Sequence, residues 1–120
     1  MITRIWHGWT GKDQADAYER LLAQEIGPGI AARGIDGVGG PQVLRRDGGD
    51  GDVEFVTVMT FSGWAAVAAF AGTDPEAAVV PAAARRLLKR FDQRSQHYEV
   101  VLDEDGWHGC RRSGTAAPEH

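Results

Sequence analysis

His7 and His97 are the side chains of this 120-residue sequence best suited to moving protons. An imidazole titrates near pH 6.5, so at neutral pH it can accept or release a proton. Each histidine sits in a stretch rich in β-formers, IWHGWT for His7 and SQHYEV for His97. A strand histidine can equally be held by a neighbouring backbone or side-chain group. His97 adjoins Tyr98, and neighbours on a strand point to opposite sides, so only one of the two can line a given pocket. Trp9, Tyr18, Met59, Trp64 and Phe70 are candidate walls for a substrate site, and each reads as ordinary core as well. Tyr18 falls on an apolar helical stripe, where its hydroxyl needs a partner from protein or ligand.

Other constellations carry no chemistry. His108, Cys110 and His120 do not supply the three or four preorganised ligands that a metal needs, and no metal is expected. The glycines at 37, 39 and 40 and at 48, 49 and 51 lack the strand–loop–helix setting of a phosphate loop. No Gly-x-Ser-x-Gly nucleophile elbow is present. Arg85, Arg86, Lys89 and Arg90 read as a solvated face complementing a helix dipole. A net charge of -4 leaves no domain-scale basic footprint, so nucleic acid is not expected as a partner. A single cysteine excludes an internal disulfide framework. The longest apolar run, Trp64–Ala71, is far short of the roughly 20 residues that span a bilayer. The first residues show no basic-then-apolar leader, and the expectation is a soluble cytoplasmic protein with no membrane partner.

The candidate side chains need elements to position them. Residues 2–9 alternate, with Thr3, Ile5, His7 and Trp9 on one side and Ile2, Arg4, Trp6 and Gly8 on the other. This predicts a strand. Ala15, Tyr18, Leu21, Leu22 and Ile26 recur at helical spacing over residues 13–26, after Thr10 or Asp13 as cap. Gly27-Pro28-Gly29 predicts an interruption, with a short turn over 30–33 closed by Gly34. Residues 37–46 predict a weak edge strand, and the Asp/Gly run 47–52 a turn into a clear strand over 53–61. Ser62 reads as the cap of a helix whose stripe is Trp64, Val67, Ala68 and Ala71, stopped at Gly72. Asp74-Pro75-Glu76 predicts a turn, and Pro81 the first position of a helix with Ala84, Leu87, Leu88 and Phe91 buried. Residues 96–102 predict the last strand, and 103–120 a polar, mobile tail.

The order βαββαβ is the ferredoxin-like plan, an α+β domain over residues 1–102 with a four-stranded antiparallel sheet and helices on one face. Val56 and Val58 stand on the side of their strand opposite Val53, Phe55 and Met59, so both faces of the sheet carry apolar side chains. An uncovered apolar face predicts a second copy packed on it about a two-fold axis, a homodimer.

Five stretches, IWHGWT, EIGPGI, VEFVT, AVVP and RFDQRSQHYEV, sit at matching places in this plan. Together they resemble the antibiotic biosynthesis monooxygenase (ABM) family of dimeric α+β barrel proteins, over roughly residues 1–102. The resemblance implies a pocket between sheet and helices in each subunit of a dimeric α+β barrel. Some members oxidise aromatic polyketide anthrones to quinones with molecular oxygen and no added cofactor. On that pattern the protein would be a cofactor-independent monooxygenase of a small aromatic or polyketide-like substrate. His7 would handle the proton, and Tyr18, Met59, Trp64 and Phe70 would shape the pocket. Haem-degrading relatives place an asparagine, a tryptophan and an iron-ligating histidine where His7, Phe70 and Val80 fall here. Val80 cannot ligate iron, so haem is not expected. The same frame also hosts isomerases, decarboxylases and cyclases, and small-molecule-binding or stress-associated modules with no activity.

Overall fold

The computed structural model describes residues 1–78 and 80–108. The first strand, β1 (Ile2–Gly11), leads into α1 (Lys12–Leu21), a π-helical turn (Leu22–Ile26) and α2 (Gly27–Ala32). The hairpin β2 (Gln42–Asp47) and β3 (Asp52–Phe61) follows, then α3 (Trp64–Ala71) and α4 (Ala82–Leu87). Two short strands, β4 (Arg90–Phe91) and β5 (Gln96–Glu99), precede a terminal hairpin of β6 (Leu102–Asp103) and β7 (Gly106–Trp107). The sheet runs β2-β3-β1, and β4 and β5 share the remaining edge of β1. All of these pairs are antiparallel. This is the ferredoxin-like α+β arrangement that the element order predicts, but the sheet has five strands among the described residues rather than four, because the helix expected to run to Phe91 ends at Leu87 and Arg90–Phe91 pairs with β1. No described helix is long and apolar enough to cross a membrane.

Register decides which side chains share a face. Ile2 pairs with Phe61, Arg4 with Met59, Trp6 with Thr57, Gly8 with Phe55 and Thr10 with Val53. These residues form the inner face, beneath the helices. Thr3, Ile5, His7 and Trp9, with Glu54, Val56, Val58 and Thr60 from β3, form the outer face. The inner face supports two separate cores. One gathers Ile2, Met59, Phe61, Val67 and Phe70 beneath α3. The other gathers Ala15, Tyr18, Val53, Phe55 and Ala84 beneath α1 and α4. Tyr18 meets the Phe55 ring edge-on at 4.8 Å between centroids, an arrangement that suits the ring quadrupoles.

The helical segment does not stop at Gly27-Pro28-Gly29. Pro28 has no N–H, so an α-helix would lose a bond there. The chain instead widens into the π turn, and the Gly27 N–H donates to Leu22 O, five residues back. The helix then resumes through Ala32 and ends at Gly34, whose φ of 61° supplies the left-handed turn expected of it. The π turn and α2 aim Leu22, Ile26 and Ile30 at the sheet.

Other boundaries shift as well. β2 begins at Gln42 rather than residue 37, leaving Val38 as an isolated bridge to Phe61. Neither Thr10 nor Asp13 caps α1, whose N-cap is Gly11. Gly63, not Ser62, is the N-cap of α3. The buried stripe of α3 is Ala66, Val67 and Phe70, while Trp64 is 53% exposed. Pro81 is the N-cap of α4 rather than its first residue. The strand predicted over 96–102 ends at Glu99, and Leu102 turns into the terminal hairpin. Residues 103–108 are therefore ordered by that hairpin, where His108 Nε2 meets Asp103 Oδ1 at 3.0 Å. Cys110, His120 and the remainder of the expected tail lie outside the described residues.

Candidate functional site

Arg4, Trp6 and Thr57 stand between the two cores on the inner face, and beside them the sheet and helices leave a gap. It is a cavity of about 70 Å³, walled by Arg4, Trp6, Tyr18, Thr57, Met59 and Phe70 and roofed by the helical segment carrying Leu22, Ile26 and Ile30. A surface groove of about 360 Å³ shares Ile26, Ile30, Phe70 and Pro81 with it. An apolar cavity needs about 150 Å³ to take up benzene, so the inner space alone does not hold a ring. The groove by itself exceeds the roughly 300 Å³ at which ordinary ligand pockets begin, and it adjoins the inner space at the four shared residues.

The charged wall of this cavity is Arg4, only 4% exposed. Its guanidinium is held at three points: Nη1 donates to Pro75 O at 2.7 Å, Nη2 donates to Ala77 O at 2.9 Å, and Nη1 stands 3.0 Å from His97 Nε2. Burial lowers its pKa from the usual arginine value, and the charge of Glu76 works against that. Arginine remains a cation at neutral pH all the same. Its guanidinium also lies 5.4 Å from the Phe70 ring centre. Tyr18 is the facing polar group. It is 1% exposed, and burial alone pushes its hydroxyl up to about 12. The hydroxyl stays protonated and can donate.

His97 stands behind Arg4. Its side chain is fully buried, it points to the inner side of the sheet opposite Arg4, and Trp64 covers it at 5.6 Å between ring centres. An arginine N–H can meet only an unprotonated nitrogen, so the neutral ring carries its proton on Nδ1. Nδ1 has no hydrogen-bond partner among the described residues, and Glu76 Oε2 is 3.8 Å away. Burial and the Arg4 charge, in that order, lower the pKa of His97.

His7 is elsewhere. It lies on the outer face, where its Nδ1 meets Asp92 Oδ2 at 3.0 Å and its Nε2 stands 3.9 Å from Glu54 Oε2. Trp9 stacks on it at 6.0 Å, and Arg90 lies 4.1 Å from the Trp9 ring centre. Of the residues singled out from sequence, Tyr18, Met59 and Phe70 meet at the cavity. His97 and Trp64 form a second group behind Arg4, and His7 and Trp9 a third on the opposite face of the sheet. His7 therefore cannot take a proton from a molecule in this cavity.

Sequence reasoning missed Arg4, Trp6, Thr57 and Ser95, all of which line the cavity. Arg4 alternates in phase with Ile2, Trp6 and Gly8, which marks it as an inward residue once that side of β1 is known to be the inner one. Trp6 is oriented by an Nε1–H bond to Asp92 O at 2.8 Å. A side chain on Gly8 would strike the Trp6 ring and Leu88, at 3.1 and 3.0 Å, so glycine there makes room for the indole.

No family model matches the chain, and neither does any curated protein. Among solved structures it resembles a presumed antibiotic biosynthesis monooxygenase from Bacillus cereus. The TM-score is 0.60 at 14% identity, over 86% of this chain and 95% of that one. At that identity the likeness is one of fold.

Proposed function

We propose that this protein binds a small aromatic molecule between its sheet and helices and oxidises it with molecular oxygen, without an added cofactor. The observation that carries this reading is the inner cavity: largely apolar walls, with a guanidinium and a protonated phenol as polar handles. The shared fold with the Bacillus cereus protein supports it. In the reaction proposed, a ring CH2 becomes C=O. One atom of O2 enters the carbonyl, and the other leaves as water with the two hydrogens. The ring lies along Met59 and Phe70, and Tyr18 donates to its oxygen. His97 acts at one remove by holding Arg4.

We propose further that two copies associate through their outer faces. Ile5, Val56 and Val58 form an apolar strip there, and Leu44 and Tyr98 on the flanking strands are 48% and 54% exposed.

The test is oxygen uptake by the purified protein with a panel of anthrones and hydroquinones, after subtraction of autoxidation. Saturable uptake above background is expected. Saturable binding with no uptake would replace this reading with a non-oxidative one, an isomerase, cyclase or decarboxylase, or a binding module.

A further inference from the structure

We infer that the ligand of the inner cavity is an aromatic monoanion, its charge carried on oxygen, with Arg4 as the counter-ion. The inference rests on the cavity being the ligand site and adds the charge of what enters it.

A buried ion without a partner is costly, and proteins retain one where something supplies the opposite charge. Arg4 is buried, yet among the described residues no carboxylate lies within 4.0 Å of it. Its protein partners are two backbone carbonyls and a neutral imidazole. Those contacts occupy both Nη1 hydrogens and one on Nη2. Of the five N–H donors of an arginine, the Nε hydrogen and the second Nη2 hydrogen stay uncommitted among the described residues. Glu76 is half exposed; its Oε2 stands 3.8 Å from His97 Nδ1, and its charge reaches Arg4 without a contact within 4.0 Å.

The rest of the lining agrees in sign. Besides Arg4, its polar side chains are Tyr18, Thr57 and Ser95, all hydroxyls, and Trp6, whose N–H is already bonded to Asp92 O. No carboxylate lines the cavity among the described residues. The Tyr18 hydroxyl has no hydrogen bond to the described residues and is held in its protonated, donating form. At its inner end the site has one cation, free donors and no anion among the described residues, while the groove adds one charge of each sign, Glu25 and Arg33, so the inner end favours an oxygen anion over its neutral counterpart. The apolar walls of Met59, Phe70 and Ile26 require that the charge sit on an otherwise apolar body. Carboxylate and phenolate share this chemistry. For a phenol, Arg4 would shift ionisation toward the anion, the proton leaving to solvent.

Three nitroaromatics of one ring each separate the cases: neutral nitrobenzene, permanently anionic 4-nitrobenzoate, and 4-nitrophenol, whose colour reports ionisation. Binding is measured by equilibrium dialysis on the full chain. The expected result is that 4-nitrobenzoate binds at least about tenfold tighter than nitrobenzene. Bound 4-nitrophenol should be ionised at a pH about one unit below its solution midpoint. If phenolate but not carboxylate is preferred, or the reverse, the source of the anion is identified and the inference stands. Equal binding of neutral and anionic rings overturns it while leaving the cavity as the ligand site. Failure of all three to bind removes the cavity reading and this inference with it. Arg4→Gln should abolish the preference. Arg33→Gln tests the rival cation: Arg33 lies 5.1 Å from the Phe70 ring and lines the outer groove, so a preference carried by Arg33 would be lost in this variant and kept in Arg4→Gln. Loss of the preference in Arg33→Gln, with Arg4→Gln unchanged, overturns the assignment. Should Arg4→Gln fail to fold, the wild-type ratio and Arg33→Gln still decide.

Discussion

The inner and outer faces of β1 and β3 are made from the same two stretches of chain, yet they treat charge in opposite ways. On the outer face polar and charged groups are partnered: His7 lies between Asp92 and Glu54, Glu54 pairs with Arg46 at 2.7 Å, and Lys89 pairs with Asp52 at 2.6 Å. On the inner face Arg4, the one buried cation among the described residues, faces carbonyls, an imidazole and a cavity. Matched pairs at a partly exposed surface account for themselves and contribute little, about 0–1 kcal/mol each. A sealed cation does not account for itself. On the reading proposed above, buried charge with no carboxylate in contact, more than the mere presence of histidine, marks where this molecule meets a ligand.

The largest expected effect tests whether the inner face holds the core. Phe55 is fully buried and packs on Tyr18. Phe55→Ala should lower stability by about 3–5 kcal/mol in urea unfolding. Its outer-face neighbour Val56 is only half-buried in the single chain. Val56→Ala should cost the separated monomer less than about 1 kcal/mol. Similar losses at both positions would remove the distinction between the faces.

The outer face is expected to respond to charge by changing assembly. Val58 pairs with Ile5 on one side and Gln42 on the other, at the middle of the apolar strip. A carboxylate buried there without a partner cannot be desolvated cheaply. Val58→Asp should turn a sedimenting dimer into a monomer that keeps its far-ultraviolet circular dichroism. A wild-type chain that sediments as a monomer at micromolar concentration removes the outer face as an interface between copies.

A smaller effect comes from acid. An ordinary histidine protonates near pH 6.5. Burial, and then the charge of Arg4, hold the folded-state value of His97 below that, with Glu76 opposing. As pH falls, the unfolded chain takes up this proton before the folded chain does. The contribution of His97 is therefore intact above about pH 6.5 and is lost as pH falls through its folded-state value. Urea midpoints between about pH 7.5 and 5.5 should fall in the wild type and fall less in His97→Gln, which keeps an acceptor for Arg4. Parallel slopes would mean that His97 is not the group being titrated.

Much of this architecture can be read from residue patterns, and the places where it cannot have physical causes. The alternation in β1 and β3 and the Asp/Gly turn between β2 and β3 fix the element order. The helix across Pro28 is hidden because a π turn satisfies the backbone in a way that spacing does not reveal. Trp64 misleads because α3, WAAVAAFA, is apolar all round, so pattern alone does not say which side is buried. The faces of β1 are ambiguous for a related reason. Ile2, Trp6 and Gly8 on one side and Ile5 and Trp9 on the other are equally plausible core, and only the pairing with Phe55, Met59 and Phe61 settles the matter. The site inherits that ambiguity: a histidine on a strand attracts attention as a base, while the arginine three residues earlier reads as solvent-facing.

The smallest expected effect is the one that separates those two residues. His7 and Arg4 are on one strand, but odd and even positions face opposite sides of the sheet. His7 is engaged by Asp92 and Glu54, and none of the three lines the inner cavity. His7→Ala should therefore leave binding of an aromatic ligand in the cavity within about twofold of wild type, because no contact to the ligand is lost and a tenfold change would need about 1.4 kcal/mol. Its cost should appear as stability instead, about 0.5–1.5 kcal/mol for the lost hydrogen bond to Asp92. A large loss of ligand affinity with stability unchanged would mean that the outer face meets the ligand, and that the working site forms only where two sheets come together.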